Sequence, residues 1–519
     1  AALFAEKLSF SGDASAASGI AAKVSGDDPV KPSFTANRQA QPEMQNLYIL
    51  GNPPFVGKDK RTDEQTADME YCCSDVNNFK TLDYVCAWYI KAAAFLAKGR
   101  NPSGSEGAQH ESDKTLSTIP TGRVSAFDVR VAFVSTNSIT QGEQVGVLWS
   151  YLLAKGIKIH FAHRTFKWSN EARGKAAVYC VIIGFGLSDV KRKSIFEYET
   201  PISESHRLDA KTINPYLVDA PVVVVTSRTQ AICDVPKIVF GSMANDGGFL
   251  LLTDQEKSEL LTNEPQAKQF LRRIYGSEEF INAKNRWCLW LVDASPQELR
   301  SMPEMMKRVQ NVKDYRLASK RETTRKLANA PFLFGEIRQP AGSYVLIPKV
   351  SSERRKFVPI GIMSSDVIAS DLCLMVPNAT LFHFGVLTST MHNAWMRQVC
   401  GRLESRYRYS NKLVYNNFPW PKNPTEKQIH AIEEKAQKVL DVREKFPTSS
   451  LADLYDPLTM PPALVKAHDE LDRAVDLAYR PQPFPTEAGR MVFLFELYEK
   501  YTATLFTQPS GKKLRKRTR

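Results

Sequence analysis

Apolar positions fall into short runs that alternate with stretches of helical spacing. Leu47–Leu50 (LYIL) reads as a strand running straight into Gly51-Asn-Pro-Pro-Phe55. Two consecutive prolines lack the N–H that a helix or an internal strand needs, so this strand ends in a rigid extended loop. Leu82–Gly99 spaces its apolar residues as a helix and is stopped by glycine. Val129–Ile139 reads as a buried strand feeding a polar loop, Gly142–Gly156 as a helix, and Ile157–Ala162 and Ala176–Phe185 as further strands. The residues between the last two strands, which include Phe166 and Trp168, read as a loop. Strands alternating with helices predict an α/β sheet with crossovers. Ligands of such sheets bind beyond the carboxyl ends of strands, where Asn-Pro-Pro-Phe and Ser135-Thr-Asn-Ser138 would stand.

From about residue 200 the pattern is mixed, with short strands (Pro221–Thr226, PVVVVT, among them), charged loops and clusters of Trp and Arg. The Pro-rich run Asn416–Pro424 punctuates the chain. Beyond it, Thr425 and Gln428 are spaced as a capping box, and Ile429, Ile432, Ala436 and Val439 share one face of a helix. Two more helices are predicted over Ala463–Tyr479 and Glu487–Leu505. Four regions result: a low-complexity arm over 1–45, an α/β domain over 46–200, an α+β domain over 201–424, and a helical region with a basic tail over 425–519. No internal repeat is present.

Composition narrows the class. A chain of 519 residues exceeds one core, and 43% hydrophobic with 24% charged residues is ordinary for a soluble globular protein. The apolar runs are too short to span a bilayer. No basic-then-apolar leader opens the chain. Eight scattered cysteines without a C-x-x-C pair argue against a zinc site or a disulfide scaffold and for a reducing cytoplasm. His160 and His163 lack companions at metal-ligand spacing and read as packing or phosphate-contact residues, so no metal is expected. The net charge of +13 favours polyanionic partners. Arg164, Lys167, Arg173 and Lys175 suit either a nucleic-acid backbone or a solvated basic loop.

Asn-Pro-Pro-Phe suits chemistry on an exocyclic amino group, a poor nucleophile because its lone pair is delocalised into the ring. Two acceptors, the side-chain oxygen of Asn52 and the carbonyl of Pro53, would draw on both amine protons and return electron density to nitrogen. Pro54 stiffens the loop, and Phe55 could stack on the ring. Asn214-Pro-Tyr216 offers a similar triplet without the second proline and reads as an ordinary turn.

Asn-Pro-Pro-Phe after an apolar strand is similar to the catalytic motif of S-adenosylmethionine-dependent amino-methyltransferases of the N6-adenine type. GNPPFVGK, LDYVCAWYIKAA, AFVSTNSITQGEQV, IHFAHRTFKWSNEARGKA, SSERRKF, GRLESRYRYS and YNNFPWP follow one another in order. Together they resemble the MmeI-like restriction–modification enzymes from about Leu47 to the end. The resemblance implies a partial Rossmann-like class I methyltransferase sheet, then an α+β target recognition domain and a helical C-terminal region. It implies double-stranded DNA as partner and S-adenosylmethionine as methyl donor. The family's Gly-rich cofactor loop and its nuclease have no counterpart ahead of Asn52, so the chain reads as the C-terminal portion of a longer enzyme.

Within that resemblance, Asn52, Pro53, Pro54 and Phe55 are the catalytic residues. A base flipped from its duplex needs two aromatic faces, Phe55 and Trp168, with Phe166 as the alternative to Trp168. Asn52 and Asp83 are expected at the cofactor; Asp83 otherwise reads as a helix N-terminal carboxylate. If Gly401–Ser410 is extended, Arg402, Glu404, Arg406 and Arg408 lie on one face. Without the resemblance they form a surface ion-pair ladder; with it, Glu404, Arg406 and Arg408 read bases and Arg354 and Arg355 add DNA contacts. Three functions compete: a DNA adenine methyltransferase module, a DNA-recognition module without catalysis, and an amino-methyltransferase acting on protein or RNA.

Overall fold

A computed structural model describes residues 45–98, 127–168 and 178–507. Nearly all of the expected N-terminal arm, Arg173, Lys175 and the basic tail lie outside these residues. The chain divides into two compact units, residues 1–140 with 144–219, and residues 141–143 with 220–519.

The first unit is built on a six-stranded sheet. Its strands are β1 (Gln45–Gly51), β2 (Phe127–Thr136), β3 (Lys158–Trp168), β4 (Val178–Gly186), β5 (Lys193–Tyr198) and β6 (Ser205–Ala210), in the order β1-β2-β4-β3-β5-β6. β1 pairs parallel with β2, while β4 runs antiparallel to both β2 and β3. Thus β1, β2 and β3 share one direction and end on one rim. Helices α1 (Asp63–Cys72) and α2 (Cys86–Lys98) lie between β1 and β2, and α3 (Gly142–Ala154) between β2 and β3. Parallel neighbours require such a crossover. β6 pairs with β5 and so belongs to this sheet, although a domain boundary at residue 200 would have assigned it to the next unit.

The β2 pattern shows why this segment is a strand. Val129, Val131, Phe133 and Ser135 are buried, and the residues between them are only partly so. Tyr89 from α2 packs edge-on to Phe133 and stacked on Phe185, each at 5.3 Å, and its hydroxyl meets Ser135 Oγ at 2.8 Å. Trp149 from α3 is buried and donates to Ile139 O at 2.9 Å. At the end of β1, a Cβ on Gly51 would stand 3.2 Å from the Phe133 ring, so glycine lets the last residue of the strand lie against that ring.

The second unit holds two four-stranded sheets. The numbering continues with β7 (Val239–Phe240), β8 (Leu251–Leu252), β9 (Leu271–Tyr275), β10 (Trp287–Leu289), β11 (Tyr344–Pro348), β12 (Val350–Ser351), β13 (Gly361–Met363), β14 (Ile368–Ala369) and β15 (Cys373–Pro377). Their orders are β14-β9-β10-β8 and β13-β11-β15-β7. A three-stranded sheet, β12-β17-β16, adds the hairpin β16 (Gly401–Leu403) and β17 (Arg406–Arg408). Helices α4 (Leu381–Thr388) and α5 (Thr390–Val399) precede the hairpin. The C-terminal helices are α6 (Glu426–Glu444), α7 (Pro462–Tyr479) and α8 (Glu487–Thr507). The predicted capping box is present: Thr425 Oγ1 accepts from Gln428 N, and Gln428 Oε1 accepts from Thr425 N. Ile432, Ala436 and Val439 are fully buried.

One strand expectation fails. Pro221–Thr226 forms no ladder, although Val223 and Val225 are buried. Asn417 Nδ2 donates to Thr226 O at 2.9 Å and Asn416 Nδ2 to Arg228 O at 2.8 Å. Side-chain amides thus satisfy carbonyls that a neighbouring strand would otherwise pair.

Arg316 plays a similar part on a larger scale. It is 1% exposed, and its guanidinium donates to five backbone carbonyls, those of Ala244, Asn245, Leu327, Ala330 and Leu333. No carboxylate is among these partners, and burial lowers its pKa from the usual arginine value. Arg316→Met would remove five hydrogen bonds: Ala244 O, Leu327 O and Ala330 O keep the backbone donors Gly335, Ala330 and Leu333, while Asn245 O and Leu333 O lose the one donor that the described residues give them. The substitution should lower the unfolding free energy by at least about 3 kcal/mol, read by urea denaturation. A loss under about 1 kcal/mol would show that the loops satisfy themselves.

Candidate functional site

The first candidate region is the rim where β1, β2 and β3 end. Asn52 follows β1 directly and is exposed, and among the described residues none hydrogen-bonds its side chain. Pro53 is buried, Pro54 exposed and Phe55 half-buried. The four residues bridge two fixed points. At one end Gly51 pairs with Phe133 in the sheet. At the other, Val56 O accepts from Tyr84 N at 2.9 Å and Lys58 N donates to Asp83 Oδ1 at 3.1 Å. A contrast comes from Asn214, buried, whose Oδ1 accepts from Tyr216 N and Val218 N in a turn of the expected kind.

Asp83 lies at the centre of a polar cluster. Its Oδ2 accepts from Ser138 Oγ at 2.6 Å and from Gln144 Nε2 at 2.8 Å, while its own N–H donates to Gln144 Oε1 at 3.1 Å. Thr136 Oγ1 is 2.8 Å from Ser138 Oγ. Because the Ser138 proton goes to Asp83, Thr136 donates to Ser138. The carboxylate expected at the cofactor is therefore engaged by protein donors. The sequence places Ser138 at this rim and Gln144 in the helix that follows, but nothing local marks either as the partner of a residue more than fifty positions earlier.

Trp168 is not in a loop, as expected, but is the last residue of β3, paired with Val178. The strand is longer than its apolar core suggests because Phe166, Lys167 and Trp168 continue the ladder after a register shift beyond His163. Phe166 is level with Cys180, which pairs with Thr136 at the end of β2. Trp168 thus stands two residues, about 7 Å, beyond the end of β2. It is 37% exposed, whereas Phe166 stacks on Tyr198 at 5.4 Å. His163 stacks on Phe196 at 4.2 Å and meets the Tyr198 hydroxyl at 2.9 Å; burial lowers its pKa. His160 bonds Ser188 O at 2.8 Å, and burial lowers its pKa too. Both histidines pack within the sheet. Arg164 pairs with Glu197, and Lys167 N donates to Pro201 O at 2.6 Å.

The second region is the β16–β17 hairpin in the other unit. Gly401–Ser410 is not one extended strand: it turns at Glu404-Ser405, with Leu403 opposite Arg406 and Arg402 opposite Tyr407. The turn breaks the alternation, so Arg402 leaves the expected face and its guanidinium lies 3.9 Å over the Tyr407 ring. Glu404, Arg406 and Arg408 are exposed, and Glu404 accepts from Arg406 at 2.9 Å. Tyr407 and Tyr409 are buried beneath them. His392 Nδ1 donates to Leu387 O and its Nε2 accepts from the Tyr409 hydroxyl, both at 2.9 Å; burial holds this ring near a pKa of about 3, hence neutral. β12 pairs with β17, bringing Arg354 and Arg355 into the segment that leaves it. Arg354 is exposed with Asp456 at 3.9 Å; Arg355 is partly buried.

An α/β sheet ending in Asn-Pro-Pro-Phe, joined to a second unit with an exposed basic hairpin, defines a methyltransferase-type domain followed by a recognition-type domain. Comparison with known proteins agrees. The MmeI DNA-methyltransferase domain matches residues 7–105 and 120–197, the MmeI target recognition domain 219–422, and the MmeI C-terminal domain 424–506. The chain belongs to the MmeI family. DNA methyltransferase A of Bacillus subtilis (strain 168) is 38% identical over 459 residues, 88% of this chain and 48% of that protein. The structure of the Type IIL restriction-modification enzyme MmeI in complex with DNA is 48% identical with a TM-score of 0.76, covering 88% of this chain and 57% of that one. The chain thus spans about half the length of these relatives. Among the described residues no helix is long and apolar enough to cross a membrane.

Glu404 has φ +58°, at the first position of a two-residue hairpin turn that favours glycine. Glu404→Gly should therefore leave stability unchanged or raise it by about 1 kcal/mol in denaturant titration. A loss of stability would mean that the fold itself needs the carboxylate.

Proposed function

We propose that this chain provides the methyl-transfer and target-recognition parts of a restriction–modification enzyme, methylating the exocyclic N6 amine of an adenine turned out of double-stranded DNA. The observation that carries this reading is Asn52, an exposed amide without a described partner, set at a strand end beside a buried proline. Its Oδ1 and the Pro53 carbonyl would accept the two amine protons and raise the nucleophilicity of nitrogen. Pro54 fixes their spacing. Phe55 and Trp168 would hold the two faces of the ring and keep water from the amine.

S-adenosylmethionine would supply the methyl group. Of the two residues expected beside it, Asn52 fits, its amide having no partner among the described residues; the carboxylate of Asp83 is already held by Ser138, Gln144 and the Lys58 amide. Glu404, Arg406 and Arg408 would read base edges, a carboxylate suiting the cytosine amine and a guanidinium suiting guanine. Arg354 and Arg355 would contact the DNA backbone beside them.

The test is incubation of the chain with tritiated S-adenosylmethionine and unmethylated duplex DNA, followed by nucleoside analysis. N6-methyladenine should form, and Asn52→Ala should reduce it at least about a hundredfold while DNA binding persists. Undiminished transfer by Asn52→Ala removes the assigned role. Sequence-specific binding without any transfer would favour the second reading, recognition alone. Arg406→Ala should lower discrimination at one base pair by about 1–3 kcal/mol, measured by competition among single-position variants of the site. Equal loss on all sequences would mark Arg406 as a backbone contact.

A further inference from the structure

We infer that Asp83 is a positioning residue, a clamp that holds the loop leaving β1 against the loop leaving β2 and thereby sets the height of Asn52 above the rim. The inference rests on the methyl-transfer reading for its effect on rate, but the clamp itself is a matter of geometry.

Three segments converge on one carboxylate. Lys58 N belongs to the chain that follows Asn-Pro-Pro-Phe, Ser138 to the turn after β2, and Gln144 to the first turns of α3. Gln144 grips the residue from two sides, donating to Oδ2 and accepting from the Asp83 N–H. A second row of bonds runs beside this one. Val56 O accepts from Tyr84 N, and Arg61 donates from Nη2 to Lys80 O at 3.1 Å and from Nε to Lys58 O at 3.2 Å. Residues 56–61 are thus stapled to residues 80–84, and along the chain Asn52–Phe55 spans from the end of β1 to the staple.

Two prolines in that bridge fix two of its φ angles and restrict the residue before each, Asn52 and Pro53. A displacement of the staple where it begins, at Val56, therefore passes through Pro54 and Pro53 to Asn52 rather than being absorbed. Ser138 adds a second coupling, because it takes a hydrogen bond from Thr136, the last residue of β2, and passes its own to Asp83. The strand that pairs with β1 and the loop that follows β1 are held to the same carboxylate. A misplacement of about 1 Å at a reacting group lowers rate by about a hundredfold, so the arrangement bears on turnover without touching the reacting atoms.

The experiment compares the full chain with Asp83→Asn, Ser138→Ala and Ser138→Thr. Asp83→Asn cannot accept from both Ser138 and Gln144 while keeping its bond to Lys58 N. Hydrogen–deuterium exchange should rise at least about tenfold in peptides covering residues 52–60 and 137–141, with β2 and β4 unchanged. Methyl transfer at saturating DNA and cofactor should fall about ten- to a hundredfold, with KM for each within about threefold of the parent. Ser138→Ala, which removes one donor and leaves the rest, should show the same pattern at smaller amplitude, and Ser138→Thr should restore it. Unchanged exchange together with weakened binding of S-adenosylmethionine would overturn the inference and make Asp83 a cofactor ligand. Loss of protection across β2 and β4 in both Asp83→Asn and Ser138→Ala would also overturn it, reducing the cluster to general stability. If the parent chain transfers no methyl group at all, the proposed function fails, and exchange alone still decides the clamp.

Discussion

The parallel pairing of β1 with β2 is the constraint on which the first unit depends. It forces the intervening chain over the sheet through α2 and sends both strands toward one rim. Because β4 enters antiparallel between β2 and β3, β3 reaches the same rim. The sheet hydrogen bonds therefore fix where Asn52, Ser138 and Trp168 begin their loops or end their strand. The prolines then prevent β1 from extending further. What remains to be set is the height of a four-residue bridge.

The second unit solves a different problem. Much of its chain is irregular, and several carbonyls outside its sheets are met by side chains rather than by strands. Arg316 serves five of them, Asn417 and Asn416 serve Thr226 and Arg228 at and just beyond the end of the valine-rich segment, and His392 fixes the hydroxyl of Tyr409 beneath the hairpin. Each is a polar group in an apolar setting, and each costs more to remove than to keep because its partners cannot reach water. Such groups give an irregular domain a single arrangement.

Much of this was legible in the chain. Asn-Pro-Pro carries its own backbone physics, and the capping box and apolar face of α6 are local patterns, so both could be read without a fold. Trp168 was misplaced because its strand leaves the apolar run and continues through polar and aromatic residues, held by a partner rather than by propensity. Pro221–Thr226 looks like a strand by composition, but it joins no ladder, and the carbonyl at its end, that of Thr226, is met by the Asn417 amide. The hairpin hid its turn because Glu404-Ser405 has neither glycine nor asparagine to announce one. Asp83 reads locally as the start of a helix; its contacts with Ser138 and Gln144 exist only after β2 and α3 have come together.

The hairpin divides its own labour by parity. Tyr407 and Tyr409 sink into the unit, while Arg406 and Arg408 stand outward on the same short strand. Inward positions answer to packing and outward ones do not, so the chemistry displayed at the tip is uncoupled from the anchorage below it. A lineage could rewrite the outward letters one at a time, and each new spelling would inherit an intact scaffold.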